Sequence, residues 1–495
     1  MEKQAFSWHY TICISMTRWG NVMANVGQNS SHIGACHQHA VKSRRGYGGT
    51  MVTIVILLTL ASRVGASIGS NHEKGAVGAV PSALTKQPSA VPGTNSGKPS
   101  PREISAGKTV ASAVASAGKP SAGKTPKNGP PSSAVPAGLK MPTTTVQGRY
   151  AYLKDLSTQC VLLDKGADES MAPSSMTKIV TVYLMLQALA QKSLDWSDLI
   201  YVSKNAATRP GSRMFIKAEE SIRVIDLLKG IVVTSGNDAC TAIAEHLGGS
   251  EEGFAELMNA LALMLGMNNS HFTNASGLPD AGHYSTCKDL AIVAERTISD
   301  FPKEYSEFYK LTSFKFNGIQ QPNRNDLLKG GFADGMKTGM TDAGKYGIVA
   351  TAVRPGYPPR RLLLVLNGVA SASLRAAEAR RLLNWGFQRF ESLVVPKGRH
   401  VATLSLWKEG SVNLVTESDL AVTLPKGTLH RTKMVARYHQ PLTAPIIKGQ
   451  KLGELVIRMD ELAPMVMPLV AEKDVPAPGL WSTLKGLFSG HSPAA

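Results

Sequence analysis

The residues best placed to do chemistry are a serine and a lysine three positions apart, Ser175 and Lys178. They open the apolar run Ile179-Val180-Thr181-Val182-Tyr183-Leu184-Met185-Leu186, behind small residues and Pro173. On a helix, positions i and i+3 share a face, so this hydroxyl and this amine point the same way. A lysine that is buried and crowded by a second cation gives up its proton near working pH. It then serves as the base for a serine hydroxyl. An isolated S-x-x-K is far more often an ordinary helix start with a serine cap. The pair carries meaning only in company.

That company is present. Ser235-Gly236-Asn237 follows the apolar stretch 227–233, and Lys337-Thr338-Gly339 precedes 346–352, which alternates like a strand. Three such motifs in this order resemble the set shared by class A β-lactamases and penicillin-binding proteins. Further stretches narrow the resemblance: Pro210-Gly211-Ser212-Arg213-Met214-Phe215, Ser235-Gly236-Asn237-Asp238-Ala239, Phe272-Thr273-Asn274-Ala275-Ser276-Gly277-Leu278, Gln321-Pro322-Asn323-Arg324-Asn325 and Asp334-Gly335-Met336 before Lys337. On these residues the chain, from position 146 to 475, resembles D-alanyl-D-alanine carboxypeptidases, the low-molecular-mass penicillin-binding proteins of serine-peptidase type.

The resemblance implies roles. Ser175 is the acyl-ester nucleophile on the carbonyl of the penultimate D-alanine, and Lys178 is its general base. Ser235 relays the proton to the leaving amine, and Asn237 holds Lys178 and the substrate amide. Lys337 supplies positive potential and, with Thr338, binds the terminal carboxylate. Gly339 leaves room for substrate to lie along the strand, and the backbone N–H groups of Ser175 and Met340 form the oxyanion hole. The chain departs from the family pattern at Met340, where histidine is frequent, and in the shifted stretch 341–345. Arg213 is expected to be structural, paired with acidic residues, and Cys240 a small buried apolar residue. No metal or other cofactor is called for, since His246, His271 and His283 lack zinc-site spacing.

The expected partners are peptidoglycan peptide stems and β-lactams. Three other readings share the motifs or the setting. A D,D-endopeptidase acting on crosslinks would use the same serine chemistry. A class A β-lactamase would want a Glu-x-x-Leu-Asn stretch between Asn237 and Lys337, and none is there. A non-catalytic wall-binding scaffold would not need Ser175, Lys178, Ser235 and Lys337 together.

The rest of the chain must place these groups. It has 495 residues, enough for two or three domains, and a formal charge of +18. No basic helix or aromatic RNA-binding signature accompanies that charge, so nucleic acid is not the expected partner; anionic lipid or wall polymer suits it equally. The five cysteines show neither metal nor redox spacing. Residues 1–50 are read as an unstructured extension upstream of the true start, and His32, Cys36, His37 and His39 within it as a chance cluster. Residues 51–66 read as a secretory signal: Lys42, Arg44 and Arg45 before it, an apolar core too short to span a bilayer, then small residues. Residues 67–145, rich in Ala, Pro, Ser, Gly and Lys with recurring Ser-Ala-Gly-Lys, form a flexible basic tether.

Strands are predicted at 149–153 and 160–163, helices at 222–231, 239–247, 251–265 and 287–298, strands again at 346–352 and 362–366, and an amphipathic helix at 376–390. Strands, then helices, then strands make residues 146–390 an α+β domain with an antiparallel sheet and a helical cluster. The resemblance makes that fold β-lactamase/transpeptidase-like. Short alternating runs with turns over 391–475 predict a small β-sandwich. The tail 476–495 puts Leu480, Trp481, Leu484, Leu487 and Phe488 on one helix face, an amphipathic anchor for a membrane surface. The expected location is the periplasmic face of the bacterial inner membrane, held peripherally.

Overall fold

The structure, a computed structural model, describes residues 8–14, 53–55, 139–356, 359–406, 410–459 and 462–477. The His32–His39 cluster, the tether up to residue 138 and the amphipathic tail from 478 onward lie outside the described residues.

Five strands make the catalytic sheet: β1 (Tyr150–Asp155), β2 (Cys160–Lys165), β3 (Gly335–Thr341), β4 (Lys345–Arg354) and β5 (Arg360–Val369). Their order is β2-β1-β5-β4-β3, antiparallel throughout, so β3 with Lys337-Thr338-Gly339 is an edge strand. The unbroken run Leu362-Leu363-Leu364-Val365-Leu366 is apolar because β5 is covered on both faces. Leu363 and Val365 face one core with Leu290 and Val293 of helix α4 (Cys287–Asp300). Leu362, Leu364 and Leu366 face the other, against Ala379, Leu382 and Leu383 of helix α5 (Ala372–Arg389). The period of two thus divides one strand between two layers.

Helix α1 (Lys178–Ala190) is buried on nearly every side, as its all-round hydrophobicity requires. Around it lie α2 (Asn237–Gly248), α3 (Glu251–Leu265) and α4. The stretch 222–231, expected as one helix, is three things. Ser221–Arg223 pairs as a strand with Leu199–Tyr201, Val224–Lys229 is helical, and Gly230–Thr234 widens into a π-turn. The hydrophobic run is continuous, so periodicity alone could not show these breaks. They leave Ser235 in the left-handed region, φ 61°, directly before Asn237 opens α2.

Beyond α5, Phe390–Val395 pairs with Leu420–Pro425, and a second sheet runs in the order His400–Ser405, Ser411–Thr416, Met465–Ala471, Lys451–Met459, Thr432–Gln440. Leu393, Val395, Val422 and Leu424 of the first share one core with Leu404, Leu414, Ala436 and Ile457 of the second. Trp8–Ile14 pairs antiparallel with Thr432–Gln440, and Thr53–Val55 adds beside it in parallel. These segments were expected as unstructured extension and signal core; they are rich in β-branched residues, which suit an open sheet edge.

Candidate active site

Ser175 sits in a single 3-10 turn, Ser174–Thr177, that runs straight into α1 at Lys178. The turn is held tightly. Ser174 has φ 50°, a costly value for a residue with a side chain, and its Oγ is 2.7 Å from Thr341 Oγ1 at the end of the K-T-G strand. A Cβ on Gly277 would run into the Ser174 carbonyl, so only glycine fits there. Thr177, between nucleophile and base, lies 2.8 Å from Nε2 of the buried His283. His283 Nδ1 accepts the Thr273 backbone N–H at 3.2 Å, which puts the ring proton on Nε2, so His283 donates to Thr177. Burial pushes this imidazole down to about 4, keeping it neutral.

Lys178 is fully buried, and its Nζ has three neighbours: Ser175 Oγ at 2.9 Å, Asn237 Oδ1 at 2.8 Å and the Ser276 carbonyl at 2.6 Å. Two of these are carbonyl oxygens and can only accept. A neutral amine has two N–H bonds and one lone pair. With both N–H bonds given to the carbonyls, the lone pair faces the Ser175 hydroxyl. Burial pushes the Lys178 ammonium down to about 8; Arg324 lowers it further, while Cys240 and Asp238 act the other way.

The remaining motif residues gather around this pair. Asn237 is oriented by its own contacts: Nδ2 donates to the Pro210 carbonyl at 2.6 Å, and its backbone N–H to the Ser212 carbonyl at 2.7 Å. Ser235 Oγ is buried and meets no hydrogen-bond partner among the described residues. Lys337 is buried on β3, and its Nζ donates to the Thr338 carbonyl at 3.1 Å. Its ammonium is held well down by burial first, then by the charges of Lys178 and Arg324. Thr338 is buried, whereas Met340 is 56 % exposed.

Three expectations are extended or changed. A Cβ on Gly339 would lie 3.0 Å from the Pro173 carbonyl and 3.1 Å from Ser174 Cβ. The glycine therefore also eases the close approach of β3 to the nucleophile turn, where a Cβ would press on its neighbours. Among the described residues Arg213 pairs with no carboxylate; its guanidinium lies over the Phe215 ring, 5.5 Å from the centroid. Asp238, the carboxylate this loop does meet, is taken up by backbone N–H groups. Arg324 is a further cation that lowers Lys178, beside Lys337, whose ammonium and that of Lys178 repel one another. Cys240 is buried as a small core residue.

Sequence reasoning gave no role to Ser276, Asp238, Arg324 or His283. The available signal was slight: each lies in or beside a stretch that carries the resemblance, but none belongs to a motif triplet. Among the described residues, no group of three His, Cys, Asp or Glu is gathered to hold a metal ion.

An exposed-edge strand, a buried lysine and a serine at its lone pair are the parts of an acylating serine hydrolase, and comparison with known proteins agrees. A family model described as D-alanyl-D-alanine carboxypeptidase matches residues 138–368, and one described as penicillin-binding protein 5, C-terminal domain, matches 391–477. The D-alanyl-D-alanine carboxypeptidase DacC of Escherichia coli is 37 % identical over 350 residues, 68 % of this chain and 86 % of the relative. DacA of Haemophilus influenzae is 35 % identical over 371 residues, 71 % of this chain and 93 % of the relative. Among solved structures, penicillin-binding protein 5 from Haemophilus influenzae aligns with a TM-score of 0.57 at 33 % identity, covering 68 % of this chain and 100 % of that one. Penicillin-binding protein 6B from Escherichia coli aligns at 0.56 and 31 % identity, covering 67 % and 99 %. The chain belongs to the D-alanyl-D-alanine carboxypeptidase family of serine hydrolases.

Proposed function

We propose that Ser175 and Lys178 remove the terminal D-alanine from peptidoglycan pentapeptide stems through an acyl-enzyme, and that β-lactams acylate the same serine. Ser175 Oγ bonds to the carbonyl carbon of the penultimate D-alanine while its proton passes to Lys178 Nζ. The oxyanion is met by the backbone N–H groups of Ser175 and Met340. The C–N bond then breaks, and the proton leaves Lys178 for the departing amine by way of Ser235. Water attacks the ester with Lys178 again as base and frees Ser175. Lys337 and Thr338 hold the terminal carboxylate, and Asn237 the stem amide. The buried, unpartnered hydroxyl of Ser235 supports the relay, since it is free to accept and donate in turn.

The observation that carries this reading is the three-way environment of Lys178: two carbonyl oxygens take two of its N–H bonds, and Ser175 Oγ lies 2.9 Å away, where a lone pair replaces the third N–H once the ammonium gives up its proton. The test is intact mass after incubation with a fluorescent penicillin, for the wild type and Ser175→Ala, followed by release of D-alanine from a pentapeptide. A covalent adduct lost in the variant, with free D-alanine from the wild type, is expected. An adduct without D-alanine release would assign the enzyme to crosslink cleavage instead, and a folded wild type that takes no label would overturn the reading.

The same reading places the enzyme outside the cytoplasm, at the periplasmic face of the inner membrane. The signal-like segment 51–66 and the apolar face of Leu480, Trp481, Leu484, Leu487 and Phe488 support it. Among the described residues no helix is long and apolar enough to cross a membrane. Deleting 478–495 is expected to move the protein from the membrane to the soluble fraction. Retention on the membrane would remove the tail as anchor.

A further inference from the structure

We propose that Asp238 is a positioning residue for the catalytic lysine, acting through the 210–216 loop and the side-chain amide of Asn237. The inference rests on the reading of Ser175 and Lys178 as nucleophile and base. Asp238 is fully buried in the first turn of α2, and its carboxylate collects three successive backbone N–H groups of the loop. Met214 N–H lies 3.0 and 3.1 Å from the two oxygens, Phe215 N–H 2.9 Å and Ile216 N–H 3.3 Å from Oδ2; Ala239 N–H is 2.9 Å from Oδ1. Consecutive amides turned onto one anion form a nest. The turning is strained, since Phe215, a bulky aromatic, is held at φ 67°. Such a conformation costs about 1–3 kcal/mol, and hydrogen bonds to a charged acceptor, about 1.5–3 kcal/mol each, offset it.

The loop in turn fixes Asn237. Its Pro210 carbonyl takes the Asn237 Nδ2–H, and its Ser212 carbonyl takes the Asn237 backbone N–H. Gly211 between them has φ 84°, and a Cβ there would lie 2.9 Å from Asn237 Nδ2. With Nδ2 committed to Pro210, the amide can present only Oδ1 to Lys178. A flipped amide would point N–H at the amine and oxygen at the Pro210 carbonyl, repulsive on both sides. Asp238 therefore acts at a distance: it holds the loop, the loop holds the amide, and the amide takes one of the two N–H bonds that orient the Lys178 lone pair. Asp238→Asn is not a neutral change here, because its N–H2 group would face backbone donors.

The test measures the second-order rate of penicillin acylation for wild type, Asp238→Asn, Asn237→Ala and the double variant, across pH. Asp238→Asn is expected to slow acylation by about 10²-fold, the usual consequence of a small misplacement at a reacting centre. The double variant should be no slower than Asn237→Ala alone, since the effect passes through that amide. The groups facing Lys178 are Asp238, Cys240, Arg324, Lys337 and the neutral His283, and the loss of the Asp238 charge moves the acid limb to lower pH. The limb shift follows from the lost charge alone, so the double variant decides: a merely structural role would multiply the two losses, and that result would overturn the proposal. Should Asp238→Asn not fold, Gly211→Ala presses on Asn237 Nδ2 while leaving Asp238 intact; a folded Gly211→Ala acylating at the wild-type rate would also overturn it. A wild type that takes no penicillin would instead sink the nucleophile-and-base reading itself.

Discussion

The two domains bury polar groups in different ways. Among the described residues of the C-terminal sheets the buried polar ones are Thr416, Thr423, Thr428 and Thr432; Thr416 and Thr432 donate to the Pro396 and Thr428 carbonyls, and Thr423 meets a threonine across the junction. In the peptidase domain the interior holds two lysines, Lys178 and Lys337, with Asp238 and His283 beside them. Burying an ammonium is unfavourable by several kcal/mol unless it is paired or loses its proton. One domain is therefore packed for stability alone. The other gives up stability to hold an amine near neutrality beside a serine.

The sharpest way to break that contrast is Lys178→Met, which keeps the volume and removes the base. Penicillin acylation, followed by mass spectrometry, should fall on the order of 10²–10⁴-fold. The same lysine leaves a signature in stability. Its folded pKa of about 8 lies below the unfolded value, so between those two pH values the unfolded chain holds the extra proton and stability rises with pH. Urea midpoints of the wild type should climb from pH 8 to pH 10 by the equivalent of about 2 kcal/mol, and Lys178→Met should flatten the climb. Lys337 adds to it with the same sign.

The converse change lies in the other domain. Leu414 is fully buried, and Leu414→Ala should destabilise the C-terminal sheets by about 2–5 kcal/mol, read by calorimetry, while acylation stays at the wild-type rate. A smaller effect sharpens the electrostatic side. Arg324 lowers Lys178, so Arg324→Gln should move the acid limb of acylation to higher pH, opposite to Asp238→Asn. The smallest lies at the junction, where Thr158 Oγ1 meets Thr423 Oγ1 at 2.5 Å. Thr158→Val should cost about 1 kcal/mol in thermal unfolding without touching the rate.

Much of this contrast was legible beforehand. Helices α3 and α4 begin where periodicity put them, because Ser250 and Thr286 cap them and their apolar stripes are clear. The three motifs announced their chemistry through residue type and spacing. The Ser276 carbonyl did not, since every residue has a carbonyl and nothing in the chain says which one will face an amine. Gly339 reads from the sequence as room for substrate, and nothing in the spacing shows that it also lets the turn at Pro173 and Ser174 approach the strand closely. Arg213 read as half of an ion pair and lies over an aromatic ring instead.

What the sequence by itself determined is the set of reacting groups and the elements that carry them. Both depend on neighbours a few positions apart: i and i+3 across the turn that opens α1, alternate residues on β3, caps at helix ends. What only the tertiary structure decided is the state of those groups. Whether Lys178 is charged, which way Asn237 turns and where the lone pair points depend on burial and on oxygens brought in from 210–212 and 276. Desolvation and hydrogen-bond direction are properties of the assembled interior, and no local spacing encodes them.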